Sequence, residues 1–192
     1  MFEELSLHIL DIAMNSLAAG ARTVRITVAE HAGRDSLLIR VRDDGAGMDE
    51  PTLKRVLAAP ITTKLSRKKG IGLGLALLRQ TAEMCGGKFD IRSRLGAGTT
   101  VAASMKLSHV DRPPLGDLNA TILALCAANP AVDVQLHYLS DEEQFHFSSK
   151  EPAEKKGASR PGRLGSGEEI TNYEPGRTQK VERESATAGC FA

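Results

Sequence analysis

Paired cysteines are missing from this sequence. Cys85, Cys126 and Cys190 stand apart, odd in number and with no CxxC pair, so neither a disulfide frame nor a zinc site is indicated. Reduced thiols and the cytoplasm are expected instead. The opening Met1-Phe2-Glu3-Glu4 lacks the basic stretch and apolar run of a signal peptide. No run approaches the length of a transmembrane helix, so no membrane partner is expected. Charge of one sign is missing too: 25 Lys and Arg against 24 Asp and Glu leave a net +1. Composition therefore argues for neither nucleic acid nor an anionic membrane, and no nucleic-acid partner is expected. Internal repeats and heptads are also lacking. The 192 residues suffice for one domain with a real core plus a tail, and a second full domain would be hard to fit.

What is present is periodicity broken by glycine. Leu5, Ile9, Ile12, Ala13 and Leu17 recur at helical spacing, which predicts a helix over 3–19 stopped by Gly20. Alternating residues over 23–29 and 36–41 predict an antiparallel hairpin. Then come a short helix over 50–57, a basic segment over 62–70 without periodicity, an amphipathic helix over 71–84 and strands over 88–93 and 99–107. Beyond Pro113-Pro114 a helix over 115–128 and strands over 132–138 and 144–147 are expected to pack on the edge of the main sheet. The expected division is a domain over 1–110, a helix-plus-hairpin extension over 111–149, and a tail over 150–192 too poor in large apolar side chains to order itself. The extension is expected to serve as a partner surface or a homodimer contact. His109, His137 and His146 match no zinc spacing.

Four segments carry chemistry. Asp11 and Asn15, four apart on the first helix, project from one face with His8. The Asn15 amide oxygen suits magnesium, a hard cation that leans on substrate phosphates for much of its shell. Asp43-Asp44-Gly45-Ala46-Gly47-Met48 follows a strand, where a carboxylate can accept from an exocyclic amine and glycine lets a ring approach the backbone. Gly70-Ile71-Gly72-Leu73-Gly74-Leu75 enters a helix whose N–H groups can cradle phosphate. A P-loop needs Lys and Ser or Thr after its last glycine, and a dinucleotide fingerprint needs GxGxxG after a strand; neither fits. Gly96-Ala97-Gly98 with Thr99 and Thr100 offers two hydroxyls at the start of a strand. Singly, each has a plainer alternative: an asparagine near a helix end, an Asp-Gly turn, a hinge and a hairpin turn.

In order and spacing, these segments over about 2–107 resemble the GHKL superfamily, which groups gyrase, heat-shock chaperone, histidine kinase and mismatch-repair ATPases with the Bergerat fold. The resemblance implies an α/β (α+β) two-layer sandwich, a mixed and mostly antiparallel sheet with helices on one face. It implies ATP and Mg2+ as cofactors and Asn15 as the metal ligand. Asp43 would read adenine, with Gly45, Gly47 and Met48 in the pocket wall. The lid over the phosphates would run from Thr62, Thr63 and Lys64 to Gly70, Ile71, Gly72, Leu73 and Gly74, with Arg67, Lys68 and Lys69 adding charge and Leu75 following as a further cofactor-binding residue. Thr99 or Thr100 would make a closing contact.

The first motif, Asn15-Ser16-Leu17-Ala18-Ala19-Gly20-Ala21, is similar to mismatch-repair ATPases, whereas Ile61-Thr62-Thr63-Lys64 and the later glycine runs resemble sensor kinases. The longer match favours kinases. The chain begins almost at the nucleotide-binding helix, so the expectation is phosphoryl transfer in trans, to a partner's His, or to Ser or Thr as in the related anti-sigma-factor kinases. His8 is read as a neighbour of Asp11, not as the acceptor. Asp11 stands where gyrase-type ATPases carry a Glu general base, which makes it the candidate base here. A nucleotide-gated binding module and an ATPase switch remain the alternatives.

Overall fold

A computed structural model describes residues 4–58 and 73–150 and the backbone of 177–179. Helix α1 (Leu5–Ala18) turns Leu5, Ile9, Ile12, Ala13 and Ser16 into the core, the residues that share its apolar stripe. Strands β1 (Thr23–His31) and β2 (Ser36–Asp43) pair antiparallel, with Val24 opposite Asp43. Helices α2 (Glu50–Ala58) and α3 (Leu73–Met84), strands β3 (Lys88–Arg94) and β4 (Gly98–Met105), helix α4 (Leu118–Ala128) and strands β5 (Asp133–Leu139), β6 (Gln144–Ser148) and β7 (Arg177–Gln179) follow.

The sheet runs in the order β3-β4-β2-β1-β5-β6-β7. Among the described residues only β1 and β5 pair in parallel, and every other neighbouring pair is antiparallel. Strands β4, β1 and β5 therefore share a direction, so the chain leaving β4 must return to the other end of the sheet before β5; α4 makes that return. Along β2, Leu37, Ile39, Val41 and Asp43 are buried while Arg40 and Arg42 are exposed, the period of a half-buried strand. Helix α1 covers β1 and β2, α3 covers β3 and β4, and α4 covers β5. This is the two-layer, mostly antiparallel architecture expected from the sequence.

Two details depart from expectation. Helix α4 starts at Leu118, not 115, because Pro113-Pro114 and Gly116 hold the preceding residues out of the helical region. Asp117 caps the helix by accepting the Ala120 N–H at 2.9 Å. The carbonyls of Pro114 and Leu115 instead accept the N–H groups of Leu5 and Ser6 at 2.9 and 2.8 Å, satisfying two donors that the start of α1 would otherwise leave open. The second departure is β7, which lies within the stretch 150–192 expected to carry no order: three of its residues pair with the open edge of β6. An edge strand offers unpaired backbone groups that any extended segment can take up. The rest of that stretch lies outside the described residues.

The extension shares one core with the residues before it. Leu118, Ile122, Leu125, Leu136 and Phe147 join Leu5 and Ile9 in a single buried cluster. Ile122 is 0% exposed, so Ile122→Ala is expected to cost about 2–5 kcal/mol, with the whole chain unfolding in one transition. Denaturant titration followed by circular dichroism checks this, and a second, separate transition would contradict the shared core.

Candidate functional site

Asp43 ends β2 on the buried face of the sheet, and its carboxylate has three donors. Oδ1 accepts the N–H groups of Gly45 at 2.9 Å and Thr99 at 3.1 Å, and Oδ2 accepts the Ser16 hydroxyl at 2.8 Å. A carboxylate offers about four acceptor positions, so one remains, on Oδ2. The loops on either side nest against one another. Gly47 has φ +65, and a Cβ there would run into the Arg94 carbonyl; Gly98 has φ +85, and a Cβ there would meet the carbonyl of Asp43 itself. Only glycine meets both demands at low cost. Ala46 donates to Ala19 O at 2.9 Å, Gly96 to Ala46 O at 2.7 Å, and Met48 to Ser93 Oγ at 2.8 Å. Ser93 Oγ in turn lies 2.9 Å from Thr99 Oγ1 and donates to Gly98 O at 3.1 Å.

These contacts frame a cavity of about 300 Å³. Ile12, Asn15 and Ser16 of α1 form one wall; Asp43, Gly47 and Met48 another; and Val56, Leu75, Ile91, Thr99 and Val101 complete it. A mostly apolar slot with a few convergent polar groups suits a flat heteroaromatic ring. The Asn15 Nδ2 is buried and has no hydrogen-bond partner among the described residues, so none of them fixes which end of the amide faces the cavity.

The sequence-derived residues are only partly brought together. Asn15, Asp43, Gly47, Met48, Leu75 and Thr99 line the cavity. Gly45 sits just behind it, its N–H on Asp43. Thr100 points to the opposite face of the sheet, since Thr99 and Val101 on either side of it line the cavity; its strand neighbours are Arg42 and Arg92. Asp11 is not on the cavity wall. Its Oδ2 accepts the Gly74 N–H at 3.0 Å, and a Cβ at Gly74 would collide with that carboxylate. The carboxylate thus sits at the positive end of α3. Thr62, Thr63, Lys64, Arg67, Lys68, Lys69, Gly70, Ile71 and Gly72 lie outside the described residues, as does the side chain of Leu73.

Sequence reasoning missed Ser16, Ser93 and the apolar walls Ile12, Val56, Ile91 and Val101. Ser16 had a signal: it falls on the apolar stripe of α1, four residues after Ile12, where a hydroxyl needs a partner. Ser93 had none beyond its parity with Ile91.

A profile of histidine kinase-, DNA gyrase B- and HSP90-like ATPases matches residues 1–109, more than half of the chain. The chain belongs to this family. Among relatives of this ATPase domain, the histidine protein kinase DivJ of Caulobacter vibrioides is 38% identical over 100 residues, which cover 50% of this chain and 17% of DivJ. The sensor histidine kinase AruS of Pseudomonas aeruginosa is 32% identical over 123 residues, 59% of this chain and 12% of AruS. The chain thus spans about a sixth, or less, of the length of these relatives. Among solved structures, the Aquifex aeolicus MutL ATPase domain complexed with ADP superposes with a TM-score of 0.48 at 13% identity, covering 94% of this chain and 93% of that one. Membership in this family makes residues 1–109 an ATP-binding domain of the histidine-kinase-like type.

His8, three residues before Asp11 on α1, is 0% exposed. Burial, aided by the N-terminal charge, pushes its pKa down to about 4, against a backbone hydrogen bond with Gly74 that works the other way. His137, its ring 4.3 Å from that of His146, is likewise lowered to about 4 by burial and by the charges of His146 and Arg25. In the unfolded chain both would titrate near 6.5, so between pH 6.5 and 4 the unfolded state binds more protons. Stability is then full above pH 6.5 and falls as the pH drops toward 4. The denaturation midpoint is expected to decrease over that window, and NMR of the imidazole carbons is expected to show His8 neutral until about pH 4; a His8 titration near 6.5 would contradict its burial.

Proposed function

We propose that this domain binds magnesium and ATP in the cavity and passes the γ-phosphoryl group to a partner protein. The observation that carries the reading is the one open acceptor position on a buried, otherwise satisfied Asp43 carboxylate at the wall of an apolar slot. The exocyclic amine of adenine would donate to it, with the ring between Ile12, Met48, Ile91 and Val101. Asn15, an amide on the same wall with no competing partner at its nitrogen, fits a magnesium ligand through its oxygen. When bound, magnesium neutralises phosphate charge. The chain's own contribution is positioning and electrostatics: orientation of the base by Asp43, exclusion of water by the apolar walls, and phosphate contacts from the N–H groups opening α3.

Transfer is supported by the relatives, DivJ and AruS both being histidine kinases. In that step an acceptor His, Ser or Thr of the partner attacks the γ-phosphorus, the bond to the bridging oxygen breaks, ADP leaves and Asp11 takes the acceptor's proton. His8 is a poor acceptor, being fully buried. Buried, free Cys85 and Cys126 fit a reducing compartment such as the cytoplasm. A second reading, a nucleotide-gated switch, is favoured by the Asp11–Gly74 contact, which would couple the helix leading from the lid to α1.

Four measurements test these assignments. Asn15→Ala is expected to abolish magnesium-dependent ATP binding in calorimetry; tight metal-dependent binding by that variant would remove Asn15 from the site. Asp43→Asn can keep its oxygen toward Gly45 and Thr99 while turning an NH2 toward the adenine amine. An unmatched buried donor costs about 1–3 kcal/mol, so ATP affinity is expected to drop about tenfold to a hundredfold and discrimination against 6-oxo purines to narrow. With labelled ATP and candidate partners, label on protein supports the kinase, free phosphate the ATPase, and neither the switch. Asp11→Asn can still accept from Gly74 yet cannot take a proton, so turnover is expected to fall strongly while ATP affinity stays within a few-fold. Unchanged turnover in Asp11→Asn, with loss only in Asp11→Ala, would leave Asp11 a positioning role alone.

A further inference from the structure

The face of the sheet turned away from the helices concentrates positive charge in a protein that is nearly neutral. Strand alternation puts Arg25 of β1 and Arg40 and Arg42 of β2 on this face, and all three are exposed. Register then aligns them across the sheet. Arg25 stands directly opposite Arg42, Arg42 opposite Thr100, and Thr100 opposite Arg92 of β3. Lys88 and Arg94 share the parity of Arg92 and are also exposed. The carboxylates on the same face, Asp90 and Asp133, are engaged: Asp90 with Arg92 at 2.8 Å, and Asp133 with Gln135 and Ser148 at 2.6 and 2.8 Å. The whole chain carries only +1, so this is a segregation of charge, not a reflection of composition.

The arrangement is costly on its own. Like charges directly across two strands repel, and Arg25 faces Arg42 with only the neutral Gln135, at 2.8 Å, as its own partner among the described residues. Neither Arg40 nor Arg42 has an ion pair or side-chain hydrogen bond among the described residues. Between them the floor is small: Thr27 lies opposite Arg40, which lies opposite Ala102. Ala29 and Ala102 are 6% and 4% exposed, covered in place by their longer neighbours. What a partner meets is therefore the long guanidinium arms above this floor, with forks set to receive carboxylates in bidentate pairs.

We infer that this open sheet face is a docking site for an acidic protein surface, a second interface separate from the nucleotide cavity. A second copy of the chain would present the same cations and be repelled. Nucleic acid is disfavoured on two counts. Among the described residues the face carries no Phe, Tyr or Trp to stack a base, since Tyr138, Phe145 and Phe147 have the opposite parity, and its His137 and His146 rings are packed on each other, 4.3 Å apart. The near-neutral net charge also supplies little of the long-range field on which phosphate-backbone binding depends. Short-range charge complementarity, as between two proteins, needs no such field.

The 192-residue chain and its Arg40→Glu/Arg42→Glu variant are compared by fluorescence anisotropy against a labelled glutamate-rich peptide, with duplex and single-stranded oligonucleotides as rivals. The expected result is salt-sensitive peptide binding that the double reversal weakens at least tenfold. Lys54→Glu, on α2 and away from this face, is expected to leave peptide binding unchanged. Calorimetry with ATP is expected to give the same affinity for wild type and the double variant, which separates loss of this interface from loss of the fold or the nucleotide site. Peptide binding unaffected by the reversal, no peptide binding at all, or tighter binding of either oligonucleotide than of the peptide would overturn the inference.

Discussion

A carboxylate buried at the junction of a helix, a loop and two strands is the constraint that organises this domain. Removing Asp43 from water is unfavourable unless its lone pairs are met. They are met by groups from three parts of the chain, two of them distant: Ser16 on α1, Gly45 in the following loop and Thr99 at the start of β4. Hydrogen bonds to an ionised group are the stronger kind, and here each one also sets a distance. The end of α1 is drawn to the end of β2, the loop is turned back under the carboxylate, and β4 enters beside it. The cavity is what remains between those fixed walls, and its polarity is already decided by the one acceptor position the protein leaves open.

The sequence displays the periodic parts of this arrangement and hides the contacts between them. The stripe Leu5-Ile9-Ile12-Ala13, the alternation along β1 and β2, and the Asp-Gly loop are local patterns, and the elements they predict are present within a few residues. Asn15, Asp43, Gly47, Met48, Leu75 and Thr99 reach the cavity because helix and strand ends converge there. Ser93 could not be read from its neighbours, since its role comes from facing Met48 across the loop. Thr100 was indistinguishable from Thr99 until strand parity assigned them to opposite faces. The start of α4 was misplaced because Leu115 looks helical by apolarity, whereas its carbonyl is taken by Ser6 of α1, a contact between residues more than a hundred positions apart.

The same alternation assigns the two faces of the sheet different chemistry. On β2 the sequence Leu37-Leu38-Ile39-Arg40-Val41-Arg42-Asp43 sends Ile39, Val41 and Asp43 inward and Arg40 and Arg42 outward. A slip of one residue would bury two guanidinium groups and expose the Asp43 carboxylate. That penalty is far larger than any gain from an alternative pairing, so the arginines enforce the register that places Asp43, whatever else they bind. The Arg25–Arg42 juxtaposition is a different matter, because a single arginine per strand would police the register equally well without the repulsion. Its persistence is therefore not explained by folding.

Asp11 raises the corresponding question on the other side of the molecule. The first turn of a helix leaves four N–H groups without helical partners, and these are what make the start of α3 attractive to phosphate. The Asp11 carboxylate takes the Gly74 N–H and places a negative charge close to where the triphosphate would lie. If the role of Asp11 were only to anchor α3, a neutral acceptor such as Asn would do so without repelling the substrate. A carboxylate is worth its repulsion only if the charge is used, either by accepting a proton during transfer or by making the helix's hold on α1 responsive to the arrival of phosphate and its counter-cation. Both uses need the Gly74 contact to be breakable, and a single hydrogen bond at a partly buried helix end is of a strength that nucleotide binding can exceed.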